Sequence, residues 1–228
     1  MSTLLDESKK KINPGALAVL WDMDGVLIDT SPYHFAAWKQ VMSQYGLDLN
    51  RNSFSAIFGL KNEVIIQKFF KINDTGLTQE IENLKETIFR KLIHQKITLL
   101  PGVYQWLNKF QSRHILQAVA SSAPRENIDF LLKGAGILNF FSAIVSADSL
   151  PSKPDPSIFL KAASTLNITA QNCVVIEDAV YGIEAAHRAG MKCIAVGNSL
   201  SLHELRQADL VVTQLQDLTE DAFDNLFR

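Results

Sequence analysis

The sequence holds little cysteine, no long hydrophobic run and almost no excess of either charge. There are two cysteines, Cys173 and Cys193, in 228 residues. That number and length exclude a disulfide scaffold. Both sit inside apolar runs, Cys173-Val174-Val175-Ile176 and Cys193-Ile194-Ala195-Val196. They are expected as small buried hydrophobes on strands. No run approaches the roughly 18 apolar residues that cross a bilayer. The first residues carry Lys9-Lys10-Lys11 and lead into a short apolar stretch that meets Asp22. That pattern is unlike a signal peptide. A cytoplasmic protein without a membrane partner is the expectation. Lys and Arg number 22 against 24 Asp and Glu, a net charge of −2. No global basic field is therefore present to draw in nucleic acid. No internal repeat, low-complexity tract or heptad pattern is present either, and a monomer is expected.

What is there is 47% hydrophobic residues, enough for a sizeable core and too apolar for disorder. Six short runs are rich in Val, Ile, Leu and Ala: 16–21, 115–120, 143–147, 173–176, 192–196 and 210–212. They show little polar alternation, as parallel strands covered on both faces do. Segments of helical period lie between most of them, at 103–112, 127–133, 156–166 and 181–189. Gly190 is placed to end the last. This alternation predicts an α/β protein with a doubly wound, Rossmann-like parallel sheet and right-handed crossovers. One interval breaks it. Between 32 and 96 there is no convincing strand, only helical patterns at 33–45, 53–58, 63–70 and 78–94. The expected organisation is a core of residues 1–31 and 97–228 with an inserted all-helical cap domain over 32–96.

Ligands of parallel sheets sit beyond the carboxyl ends of the strands. Here those ends carry chemistry. The first strand runs into Asp22-Met23-Asp24-Gly25-Val26, where Gly25 permits a tight turn. The second ends in Ser121-Ser122 before a helix, where free N–H groups help hold an anion. Lys153 lies in Ser152-Lys153-Pro154-Asp155-Pro156, stiffened by its prolines. The fourth strand ends in Glu177-Asp178. Singly these read as a solvated turn, a helix cap and a surface lysine. Two acids ending a buried strand, however, repel each other and call for a cation. As a set they make a hard oxygen-ligand site suited to Mg²⁺.

In this order the residues carry a resemblance. The chain resembles the haloacid dehalogenase superfamily of phosphotransferases from Leu17 onward. Asp22-Met23-Asp24-Gly25-Val26 is similar to its first motif, Ser121 to the second, Lys153 to the third and Glu177-Asp178 to the fourth. The helical interval falls where the subgroup of phosphoglycolate phosphatases, sugar phosphatases and β-phosphoglucomutases carries its cap. The resemblance implies that Asp22 is the nucleophile forming an aspartyl-phosphate. It implies that Asp24 is the general acid/base, and that Ser121 and Lys153 hold the phosphoryl group. Mg²⁺ would sit between Asp22, Asp178 and the backbone carbonyl of Asp24, with Glu177 acting at the metal directly or through water. Asp24 also speaks against dehalogenation.

The cap splits the functional reading. Tyr33-His34-Phe35-Ala36-Ala37-Trp38 is close to the β-phosphoglucomutase stretch, and Lys85 matches a cap lysine there. The resemblance thus implies substrate-side roles for His34, Trp38, Lys85 and Ser122. The plainer readings are a helix contact for His34, packing for Trp38 and a solvated charge for Lys85. Two departures count against a mutase. Where that family has a phosphate-gripping arginine, Gly59-Leu60-Lys61-Asn62-Glu63 offers Asn62, with Lys61 and Arg51 as the cations left to substitute. Ser121-Ser122-Ala123-Pro124-Arg125-Glu126-Asn127 looks more like the loops of phosphatases. Hydrolysis of a small phosphorylated metabolite, a sugar phosphate, is the favoured expectation. A phosphohexomutase and a non-catalytic metabolite-binding protein are the alternatives.

Overall fold

The computed structural model describes residues 17–227 except Ala56 and Phe58. The expected start of the first strand at Ala16, part of the 53–58 helix and the segment 1–14 lie outside the described residues. In chain order the elements are β1 (Ala18–Trp21), α1 (Ser31–Gln44), α2 (Arg51–Ser55), α3 (Asn62–Phe70) and α4 (Thr75–Ile93). Then come α5 (Val103–Ser112), β2 (Leu116–Ser121), α6 (Arg125–Gly134), β3 (Ala143–Ser146) and α7 (Ser157–Leu166). The chain continues with β4 (Cys173–Glu177), α8 (Val180–Arg188), β5 (Lys192–Val196), β6 (Leu210–Val212) and α9 (Glu220–Asn225).

The six strands form one sheet in the order β3-β2-β1-β4-β5-β6, with every pairing parallel. The order reverses beside β1, so β1 and its two neighbours meet at the switch point. The apolar runs are strands buried on both faces, and their alternation divides two cores. Val19, Trp21, Val119, Val174 and Ile176 point toward α5, α6 and α9. Ala18, Leu20, Ala118, Ala120 and Val175 point toward α7 and α8. Cys173 and Cys193 are buried among the latter and unbridged, and burial pushes the Cys173 thiol up to about 12.

Between β1 and α5 the described residues form helices α1 to α4 and no named strand. These carry their own cluster around Trp38, Val41, Met42, Phe54, Ile66 and Ile81. Helix α4 starts at Thr75 rather than at 78, because the Asp74 carboxylate accepts the Leu77 N–H at 2.8 Å and caps it. No helix among the described residues is long and apolar enough to cross a membrane.

Candidate active site

Register delivers the first, second and fourth motifs to the carboxyl end of the sheet, and a loop brings in the third. Trp21 lies beside Val119 and Ile176, so the residues that follow in β1, β2 and β4 emerge together. The Asp22 N–H donates to the Ile176 carbonyl at 3.0 Å, extending the pairing by one residue and pinning the carboxylate at the strand end. Ser121 closes β2 and is buried, with its Oγ accepting the Ala123 N–H at 3.1 Å. Ser122 Oγ, just beyond, is buried and lacks a hydrogen-bond partner.

Lys153 reaches in from the β3–α7 loop and is only 5% exposed. Its Nζ donates to Asp22 Oδ1 and to Glu177 Oε1, both at 2.6 Å. Burial opposes its charge, but the two carboxylates outweigh burial and raise its pKa. The other oxygen of Glu177, Oε2, accepts the N–H groups of Asp178 at 2.8 Å and Ala179 at 2.9 Å. Its carboxylate is thus turned to Lys153 and to the backbone. Gly182 in α8 leaves room for it, since a Cβ there would lie 1.8 Å from Glu177 Oε1.

Asp178 is buried and bonded by Ser199 Oγ. The first-strand loop packs directly upon it. Gly25 has φ +79°, and a Cβ there would come within 2.0 Å of Asp178 Oδ2. Glycine is required both for the left-handed turn and for this approach. The electrostatics of the cluster are uncomfortable. Burial, with Glu177 and Asp24 nearby, pushes Asp22 up to about 7 against the pull of Lys153. Burial, Glu177 and Asp22 likewise push Asp178 well above the carboxylate range.

That strain is the test for a metal. Two buried carboxylates whose proton affinity is raised by burial and by each other fit a divalent cation, which relieves both. No group of three or more His, Cys, Asp or Glu side chains among the described residues is arranged to hold a metal ion. The donor set fits Mg²⁺ all the same, because that ion is held by one or two carboxylates and fills its octahedron with water and other oxygens.

Asp24 faces the other way, toward the helical interval. Its Oδ1 lies 3.2 Å from His34 Nε2. His34 stacks on Phe89 at 3.9 Å, and its Nδ1 lies 2.8 Å from Lys85 Nζ. An ammonium has only donors, so Nδ1 accepts and Nε2 carries the hydrogen given to Asp24. Burial and Lys85 hold His34 below its ordinary pKa, and it is neutral at pH 7. Burial acts to raise Asp24, but His34, Thr30 and Lys85 together outweigh it and hold the carboxyl below the usual range.

Lys85 is 2% exposed and pairs with Glu86 at 2.7 Å, its Nζ 5.5 Å from the Trp38 ring. The solvated-charge reading of Lys85 is therefore wrong: the side chain is buried between Glu86 and His34. Asp24, His34, Trp38, Lys85 and Ser122 line one small cavity of about 50 Å³. Lys61 donates to the Leu150 carbonyl at 3.1 Å, while Arg51 lies 5.0 Å over the Phe35 ring, neither of them at that cavity.

Residues 19–196 match the family of haloacid dehalogenase-like hydrolases, well over half of the chain. The chain belongs to that family. It is 36% identical over 212 residues to a β-phosphoglucomutase of Bacillus subtilis, covering 89% of this chain and 91% of that protein. It is 30% identical over 209 residues to hexitol phosphatase B of Escherichia coli, covering 89% and 94%. Among solved structures, β-phosphoglucomutase from Clostridium difficile superposes with a TM-score of 0.86 at 28% identity, covering 93% of this chain and 97% of that one. Sequence reasoning missed Glu86, Asn127 and Ser199. Glu86 and Asn127 come from helices far apart in sequence, and Ser199 follows a strand without any acidic or basic mark.

Proposed function

We propose that the chain is a Mg²⁺-dependent phosphatase that hydrolyses a small phosphate monoester, a sugar phosphate, through an aspartyl-phosphate on Asp22. The observation that carries this reading is the pair of carboxylates on one loop facing different partners. Asp22 meets Lys153 at 2.6 Å, and Asp24 meets His34 at 3.2 Å. One is placed to attack phosphorus, and the other to handle a proton two residues away.

Residues 32–96 act as a cap on the core formed by 1–31 and 97–228. With the cap apart, the substrate's phosphate settles against Ser121, Ser122 and Lys153, and closure excludes water. Asp22 and Asp178, with the Asp24 backbone carbonyl, would hold Mg²⁺. When bound, the ion polarises phosphoryl oxygens and offsets repulsion between the two anions. Asp22 forms its bond to phosphorus as the ester P–O bond breaks, and Asp24 gives its proton to the departing alkoxide. A phosphate dianion beside Asp24 raises its proton affinity, so the acid form arrives with substrate. Asp24, again ionised, then takes a proton from water, whose oxygen displaces phosphate from Asp22. Glu177 fixes Lys153 rather than ligating metal.

Hydrolysis is favoured over phosphate shuttling because the cap offers no spare cation in the small cavity. Lys85 is neutralised by Glu86 at 2.7 Å, and Asn62 stands at the remaining position, its amide donating to the same Glu86 at 2.6 Å. The bond of His34 to Asp24 and the likeness to β-phosphoglucomutases favour the mutase as the second reading. Near-neutral charge supports the absence of a nucleic-acid partner, small-metabolite chemistry a cytoplasmic place without a membrane partner, and the lack of heptads in the sequence a monomer. A phosphate-release screen with Mg²⁺ over sugar phosphates, phosphoglycolate and nucleotides tests the proposal. Release from at least one sugar phosphate supports it. Conversion of β-glucose 1-phosphate to glucose 6-phosphate only with a bisphosphate primer, without net release, overturns it for the mutase. Tight binding without turnover overturns it for a binding protein.

A further inference from the structure

Among the polar bonds between the helical interval and the core, one joins a buried carboxylate to a buried amide. Glu86 lies in α4 and is 5% exposed. Its Oε1 accepts from Lys85 Nζ at 2.7 Å and from Asn62 Nδ2 at 2.6 Å. Its Oε2 accepts from Asn127 Nδ2 at 2.5 Å. Lys85 and Asn62 belong to the same helical interval as Glu86. Asn127 does not: it stands in α6 of the core, fully buried. Its Oδ1 accepts from Arg90 at 2.7 Å, one turn along α4 from Glu86, and Arg90 pairs with Glu126 at 3.1 Å.

A buried carboxylate needs every one of its partners, because an uncompensated charge in the interior is costly. Separating cap from core leaves Lys85 and Asn62 in place and removes Asn127. The Glu86–Asn127 bond therefore exists in the shut arrangement alone, and its free energy weights that arrangement. Opening makes room for a substrate beside Asp24. The cavity between Asp24 and Trp38 measures about 50 Å³, whereas pockets for small ligands run to several hundred Å³. The same carboxylate also holds Lys85, whose Nζ sets the tautomer and angle of His34 against Asp24.

We propose that Glu86 is a positioning residue that latches the cap to Asn127 of the core and, through Lys85, sets His34 on Asp24 when the cap is shut. This rests on reading the Asp22–Asp24 loop as the phosphoryl-transfer centre. A contact that merely stabilises the fold would lower the melting temperature and leave closure alone. A latch changes closure well below that temperature.

Two readouts separate these cases. One is kcat/KM for the best phosphate ester. The other is acrylamide quenching of tryptophan fluorescence without substrate. All three tryptophans are buried, and Trp38 lines the cap–core cavity, so opening reports through it. Asn127→Ala is expected to lower kcat/KM about tenfold and to raise quenching at 25 °C with cooperative melting retained. Glu86→Gln is expected to do the same. The pair Glu86→Gln/Asn127→Asp puts the donor on the cap and the acceptor on the core, and is expected to recover most of the loss. Parental kcat/KM and quenching in Asn127→Ala overturn the proposal, and so does a pair whose losses simply add. If Glu86→Gln fails to fold, Asn127→Ala alone decides. The quenching needs no turnover, so a parent without phosphatase activity would refute the functional reading while the latch is still judged on its own.

Discussion

At the sheet edge, Asp22, Ser121, Glu177 and Asp178 occupy the last position of a strand or the residue after it. Their places are set by backbone register, which each apolar run determines for itself. In the helical interval, Lys85 and Glu86 owe their positions to three helices meeting, α1, α3 and α4, and to α6 across the boundary. The first region gathers Asp22, Glu177 and Asp178 about Lys153 and is strained by like charges. The second pairs its buried Lys85 with Glu86 and is bonded to the core through Asn127. On the proposed function, chemistry sits at the strand ends and selectivity in the helical interval.

The largest effects are expected at the sheet edge. Asp22→Asn should cut phosphate release by at least about 10³-fold, with circular dichroism and melting close to the parent because Glu177 still pairs Lys153. Lys153→Met should remove the one cation between Asp22 and Glu177. Breaking a buried pair this way costs roughly 3–5 kcal/mol, read as a fall in the urea midpoint. A midpoint within error of the parent would show that these carboxylates do not need it.

The helical side should respond less. His34→Ala is expected to lower kcat/KM about tenfold for alkyl phosphates. It should matter less for p-nitrophenyl phosphate, whose leaving group needs little protonation. Equal losses on both substrates would erase the distinction between the two regions.

The smallest effect is a pH dependence. In the metal-free protein, Asp22 rises from 3.8 to about 7, so the folded state holds a proton that the unfolded state has released. Stability from this group falls as pH climbs from about 4 to 7 and levels beyond. Mg²⁺ competes with that proton. The metal should therefore raise the melting temperature more at pH 8 than at pH 5.5, and an equal rise at both would contradict the placement of the cation at Asp22.

Much of this was legible in the sequence. The six strands, their parallel arrangement and the places of Asp22, Ser121, Glu177 and Asp178 follow from unbroken apolar runs ending in polar residues, because strand ends and ligand sites coincide in such sheets. The helical side was legible only in part. Ile81, Lys85, Phe89 and Ile93 fall four residues apart and share one buried stripe of α4. A lysine on an apolar stripe marks a buried charge, and its neighbour Glu86 was the available partner. Asn127 gave no such sign, since its role arises only where α6 meets α4. The part of Glu177 was also hidden, because its grip on Lys153 depends on the β3–α7 loop turning inward.

The central claim is that Asp22 carries the phosphoryl group. Asp24→Ala with Mg²⁺ and p-nitrophenyl phosphate tests it most directly. The first step needs no acid with this leaving group, while the second lacks its base. The account predicts a burst of one p-nitrophenolate per chain, slow turnover afterward, and a phosphoryl group found by mass spectrometry on the peptide containing Asp22. No burst, or the phosphoryl group on any other residue, would contradict it.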